Sequence, residues 1–226
     1  MKFRLAMLCV LSLLAVPAWA EDQQYDRVNF SSSAEQEVAN DLMTATMSIE
    51  VNGATPAGVA RQINATLNDA LKRAAGFSGI KALSGSQRTS PVYDKSNRKL
   101  QGWRGHAEIH LQGGDFEKLG ELIGQLQSTL QLQDVNFSLA AVTRQRIENV
   151  LITRAIDAFR ERAKTISAAL GGVNYKIVHI SINNGSYPRP MLGRMAMAET
   201  AVPAPQFSGG DSTMRIQVSG TIQVIR

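Results

Sequence analysis

The sequence predicts an α+β fold: a largely antiparallel sheet with helices packed on one face, including one long helix near residues 143–170. Three observations carry this expectation. Apolar residues recur at helical spacing in three separate stretches, strand-like alternation comes in adjacent pairs, and the regular βα alternation of a doubly wound sheet is missing.

The first twenty residues stand apart from that pattern. Lys2 and Arg4 give a positive start, Leu5 to Val16 is almost wholly apolar, and Ala18-Trp19-Ala20 puts small residues where a signal peptidase reads. The apolar run is about twelve residues, whereas a membrane-spanning helix needs roughly twenty. The expectation is a signal peptide cleaved after Ala20, export to the periplasm, and no membrane span in what remains.

Of the 226 residues, 206 would then be left, enough for one domain with a sound core. The single cysteine, Cys9, leaves with the signal, so disulfides are excluded from the mature chain. Losing Lys2 and Arg4 leaves 22 basic against 19 acidic residues, a net charge of +3. The two signs are interspersed, as in Arg154, Asp157, Arg160, Glu161, Arg162 and Lys164. Such a pattern reads as a solvated helix face and argues against a nucleic-acid partner.

Residues 21–34 are polar and serine-rich and read as a loose lead-in. Glu35 to Val51 suits one extended segment, with Thr46, Ser48 and Glu50 alternating against Met47, Ile49 and Val51 before Asn52-Gly53 breaks it. Thr55-Pro56 then opens a helix, the threonine as cap and the proline where no donor is missed. Val59, Ile63, Leu67, Leu71 and Ala74 form its stripe, and Gly76 is a natural stop. Ile80–Val92 and Leu100–Gln112 read as a hairpin joined by a charged turn. Asp115 caps a second helix with Leu119, Leu122, Ile123, Leu126 and Leu130 on one side. Val135–Ala141 reads as a strand.

The long helix follows, from about Thr143 to Leu170, with Ile147, Leu151, Ala155, Phe159, Ala163, Ile166 and Leu170 on one face and Gly171-Gly172 at its end. Tyr175–Ile182 is a further strand. Residues 183–212, rich in Pro, Gly, Met and Ala, lack a period and read as an insertion. Met214–Ile225 closes the chain with strict alternation. Residues 35–226 are thus expected to form one domain carrying that insertion.

The stretch from Gly102 to Asn184 resembles a known family. It runs from Gly102-Trp103 through a strand ending at Gly114-Asp115 to a helix holding Phe116-Glu117-Lys118-Leu119-Gly120. Val135-Asn136-Phe137-Ser138-Leu139 follows. A long helix then carries Ala155-Ile156-Asp157-Ala158-Phe159-Arg160-Glu161-Arg162-Ala163 and leads to Ala169-Leu170-Gly171-Gly172. This order is similar to the SIMPL-domain family, whose exported bacterial members include a periplasmic immunogenic protein and one linked to oxidative-stress tolerance. Asn29–Ala45 departs from the family's Gly-rich opening strand with its Pro-Asp turn, and Pro188–Pro205 has no residue-by-residue counterpart. The resemblance implies the envelope as location and a tendency to form homo-oligomers. It brings no catalytic residues and no cofactor.

Two sets of side chains invite a metal reading. His106, Glu108 and His110 are two apart on a strand and share a face, and imidazole and carboxylate suit zinc or copper. The bland alternative, the polar face of a half-buried strand, also explains Arg104 and Gln112. Met191, Met195 and Met197 offer soft thioethers for copper, or simply a flexible contact surface. Catalysis has less support. No Gly-x-Ser-x-Gly elbow occurs, the mature chain has no thiol, and Asp115 in Gly113-Gly114-Asp115-Phe116 is already used as a helix cap. The expected role is therefore non-enzymatic: self-assembly or binding of an envelope partner. A periplasmic zinc- or copper-binding protein is the alternative.

Overall fold

In the computed structural model, residues 25–94, 96, 99–184 and 208–226 are described. In chain order the elements are β1 (Arg27–Ala39), β2 (Leu42–Gly53), α1 (Pro56–Ala74), β3 (Ile80–Tyr93), β4 (Leu100–Gly113), α2 (Phe116–Leu126), β5 (Gln131–Ser138), α3 (Ala141–Ala169), β6 (Asn174–Asn184) and β7 (Asp211–Ile225). The α+β expectation holds, with every strand pairing antiparallel. The strands divide between two sheets, each with its own core. No helix among the described residues is long and apolar enough to cross a membrane.

The four-stranded sheet has the order β3-β4-β2-β5. With α1 between β2 and β3, and α2 between β4 and β5, it is a split βαβ arrangement of the β-α-β-β-α-β type. Both helices lie on the same side. There Met43, Ala45 and Met47 of β2 and Ala107, Ile109 and Leu111 of β4 are fully buried. They meet Val59 and Ile63 of α1 and Leu119, Leu122 and Ile123 of α2. The expected caps form: Thr55 Oγ1 accepts from Gly58 N at 3.2 Å, and Asp115 Oδ1 accepts from Lys118 N at 3.1 Å.

The three-stranded sheet places the last strand between β1 and β6. Met214, Ile216, Val218, Ile222 and Val224 alternate toward α3, as the sequence pattern requires. From the helix, Leu151, Ala155, Phe159 and Ala163 meet them, all fully buried. Phe159 stacks on Phe30 of β1, with ring centroids 4.3 Å apart and planes 11° from parallel. Gly220 makes this possible, because a side chain there would strike the His179 carbonyl and the Phe159 ring.

Four boundaries need correction. The supposed lead-in of residues 21–34 contains the start of β1, which opens at Arg27. Its inner face carries Ser32 and Ala34 where large apolar residues would have announced a strand. Residues 35–51 are two strands, because the chain turns from one sheet to the other at Asn40-Asp41. The strand expected at Val135–Ala141 runs instead from Gln131 to Ser138, and α3 starts at Ala141. Leu170 is not on the buried stripe; it lies past the helix end at 52% exposure, and Ser167 is buried there instead. Most of the expected insertion, residues 185–207, lies outside the described residues, as do the first twenty.

A polar knot ties the two sheets together where β1 turns into β2. Asn40 donates from Nδ2 to the Gly209 carbonyl at 2.8 Å and accepts from Ser212 Oγ at 2.7 Å. Beside it, Asp41 accepts from the Ala140 amide at 2.6 Å and from the Thr143 hydroxyl at 2.5 Å. Ala140 precedes α3 and has no side chain able to cap it. Asp41 supplies the missing acceptor.

Candidate functional site

The side of the four-stranded sheet away from α1 and α2 carries the polar residues of the alternating strands. On β4 these are Arg104, His106, Glu108, His110 and Gln112. The register sets Asn52, Glu50, Ser48, Thr46 and Thr44 of β2 opposite them in turn. On the other flank, Ser90 faces Arg104, Arg88 faces His106, and Leu83 faces His110.

His106, Glu108 and His110 do share this face, as their spacing predicts. They do not converge on one point. Residues four apart on a strand are about 13 Å apart along its backbone, and the two imidazoles take different hydrogen-bond partners. Each has a separate neighbour: His106 Nε2 lies 3.2 Å from Glu108 Oε1, and His110 Nδ1 lies 3.2 Å from Thr46 Oγ1. Among the described residues no three side chains of the metal-binding kind gather. The histidine strand therefore gives no support to the zinc or copper reading. Met191, Met195 and Met197 lie outside the described residues.

Glu108 is the most heavily engaged of the three. Its hydrogen bond with His106, followed by one from Ser86, holds its carboxyl below the ordinary glutamate range despite a small opposing effect of burial. Ser86 reaches it because β3 bulges between Ser84 and Gln87. Gly85 sits in that bulge, and a Cβ there would lie 2.7 Å from His110 Nε2 and 2.9 Å from the Glu108 Cβ. The glycine lets the imidazole fold over the bulge. Serine and histidine both approach the carboxylate. A nucleophile–base relay needs the histidine to touch the hydroxyl instead.

Further along the same face, Glu50, Arg88, Ser90, Val92, Arg104 and His106 border a groove of about 560 Å³. Arg104 Nε is 3.3 Å from Glu50 Oε1 and 3.2 Å from Asn52 Oδ1. Sequence reasoning missed this groove. Arg88 and His106 become neighbours only through the β3–β4 register, which the bulge shifts.

Comparison with known proteins identifies the family. A sequence model of the SIMPL family, described as a protein of unknown function (DUF541), matches residues 28–222. The chain belongs to the SIMPL family. The match begins one residue into β1 and ends within β7, so the SIMPL domain includes both sheets. A search of curated proteins finds no match. Among solved structures, one match is a candidate amidohydrolase/peptidase from Burkholderia cenocepacia, at 10% identity and a TM-score of 0.31. It covers 48% of this chain and 29% of that one. A likeness so slight carries nothing over to this SIMPL domain.

The three-stranded sheet of the SIMPL domain presents a second feature outside sequence reasoning. β6 pairs with β7 alone among the described residues and leaves its other edge open. Ile180 and Ile182 stand opposite Gly220 and Val218, on the side that faces α3. Even so, they are 38% and 40% exposed, because α3 lies mainly over β7 and β1. A groove of about 540 Å³ opens between the end of α3 and β6, lined by Ala168, Val173, Tyr175 and Ile177 among others.

Proposed function

We propose that this SIMPL-family protein is exported, loses its first twenty residues after Ala20, and works in the periplasm by binding further copies of itself or an envelope partner, without catalysing a reaction. The observation that carries the reading is the open edge of β6. Unpaired strand edges are templates for another strand, and stable monomers blunt them. The other edges here are blunted. Arg162 Nη1 donates to the Ser31 carbonyl at 2.9 Å across the edge of β1. β3 carries Pro91 and a bulge, and β5 is only 8 residues long. β6 has a bulge at Val178, yet presents Val178, Ile180 and Ile182 at 38–41% exposure, and a groove opens against its earlier residues Tyr175 and Ile177. A strand added there would gain backbone hydrogen bonds and cover those side chains.

The location rests on the amino-terminal sequence pattern, and the association with oxidative-stress tolerance rests on the family likeness. Light scattering on the purified mature chain tests the assembly half of the reading. The expected result is a species heavier than the monomer at micromolar concentration, shifted toward monomer by Ile180→Lys with Ile182→Lys. A monomer throughout, with no partner retained from an envelope extract, would remove the proposal. Amino-terminal sequencing of protein recovered from the periplasm tests the export half, with Glu21 expected as the first residue.

A further inference from the structure

The groove on the open face of the four-stranded sheet lies away from β6 and has no part in the assembly reading. Among the described residues, Arg88, Arg104 and His106 line it. Arg88 and His106 are directly opposed, and Arg104 faces Ser90, two residues on from Arg88. Diagonal neighbours on paired strands are roughly 7–8 Å apart, within reach of long side chains closing on one bound group. The Arg88 side chain is exposed, and no hydrogen bond or ion pair holds it among the described residues. Arg104 is held by Glu50, the one acidic residue lining the groove among the described residues.

The far end of the groove is different. Val92 stands opposite Gly102, and the missing side chain at Gly102 leaves the strand open there. A Cβ at Gly102 would meet the Gly53 carbonyl at 2.9 Å, so this gap is fixed by the way β2 ends. Pro91 and Val92 give that end an apolar wall. A groove of about 560 Å³ falls in the range that holds small molecules. Guanidinium groups match the planar, two-oxygen geometry of carboxylate and the oxygens of phosphate.

We infer that this groove binds a small organic oxyanion, its anionic head between Arg88 and Arg104 and its body along Val92. Glu50 competes for Arg104 and sets the affinity. Calorimetric titration of the full mature chain at constant ionic strength tests this, with citrate in one arm and inorganic phosphate in the other. Saturable binding of citrate alone assigns a carboxylate ligand; binding of both assigns the oxyanion head as the recognised group. Arg88→Gln is expected to weaken binding about tenfold. Glu50→Gln is expected to tighten it, which loss of folding could not do. Thermal melts of both variants check that the sheet is intact. No saturable binding in either arm, or an affinity unmoved by both Arg88→Gln and Arg104→Gln, would overturn the inference.

Discussion

Asp41 brackets the first turn of a helix far along the chain, its carboxylate accepting from the amide of Ala140, 99 residues later. The Thr143 hydroxyl, three residues further on, bonds the second oxygen of the same carboxylate. A local capping box does a similar job within one turn. Here the acceptor comes from the β1–β2 corner, so helix start and sheet junction are fixed by one side chain. The negative charge also sits at the positive end of the α3 dipole. Two units with separate cores are thereby held in register at their seam.

Replacing Asp41 should therefore cost more than an ordinary surface change. Asp41→Ala removes both acceptors from the start of α3 and is expected to destabilise the protein by about 1–2 kcal/mol. Thr143→Val removes one of the two bonds and should cost less. Urea unfolding at neutral pH measures both. Equal stability of Asp41→Ala and the parent would mean that the junction does not depend on this carboxylate.

Asp41 also makes a statement about acid stability. Partial burial pushes its carboxyl upward, but the bonds from Thr143 and Ala140 and the nearby Arg146 together hold it below the ordinary aspartate range. A group with a lowered folded pKa stabilises fully above its unfolded value and loses that contribution as pH falls through the folded value. The loss should therefore appear on the acid side of about pH 4. Stability measured from pH 6 to pH 2 should fall less steeply in Asp41→Asn than in the parent. Parallel curves would assign the acid sensitivity to other groups.

How far the sequence can be read depends on whether each signal is local. Thr55-Pro56 and Asp115 sit next to the helices they start, and both helices appear where expected. α3 begins earlier than its own pattern indicates because its anchor is Asp41, far away in sequence. β1 is hidden because Ser32 occupies an inward position. Its hydroxyl reaches the Ala158 carbonyl at 3.5 Å, and packing against Phe159 is left to Phe30. The shared face of His106 and His110 follows from a period of two, but their separate partners follow from the neighbouring strands. Arg88 meets His106 only after a bulge has changed the count, and no periodicity reports a bulge.

The stacked pair in the second core gives a sharp packing test. Phe159 is fully buried, and Phe159→Ala should cost about 3–5 kcal/mol through lost contact and the cavity left behind. Phe30→Ala should cost less, since that ring is only partly covered. Gly220→Ala should also destabilise, because the new methyl meets the backbone carbonyl of His179, which cannot swing aside. Thermal unfolding of the three variants should rank Phe159→Ala lowest. A harmless Gly220→Ala would show that β6 can move away from β7 at its bulge.

The bulge in β3 makes a testable pair of Gly85 and His110. A methyl at residue 85 would crowd the imidazole, at 2.7 Å from Nε2, and the Cβ of Glu108, at 2.9 Å. The first obstacle is the end of a side chain and the second is close to backbone. Gly85→Ala should therefore destabilise the four-stranded sheet, and adding His110→Ala should recover part of the loss. Residues in contact commonly couple by about 0.5–3 kcal/mol, so the double variant should be more stable than the sum of the single changes predicts. Strict additivity in urea unfolding would place the obstruction at Glu108 and the bulge backbone, with the imidazole moving aside at no cost.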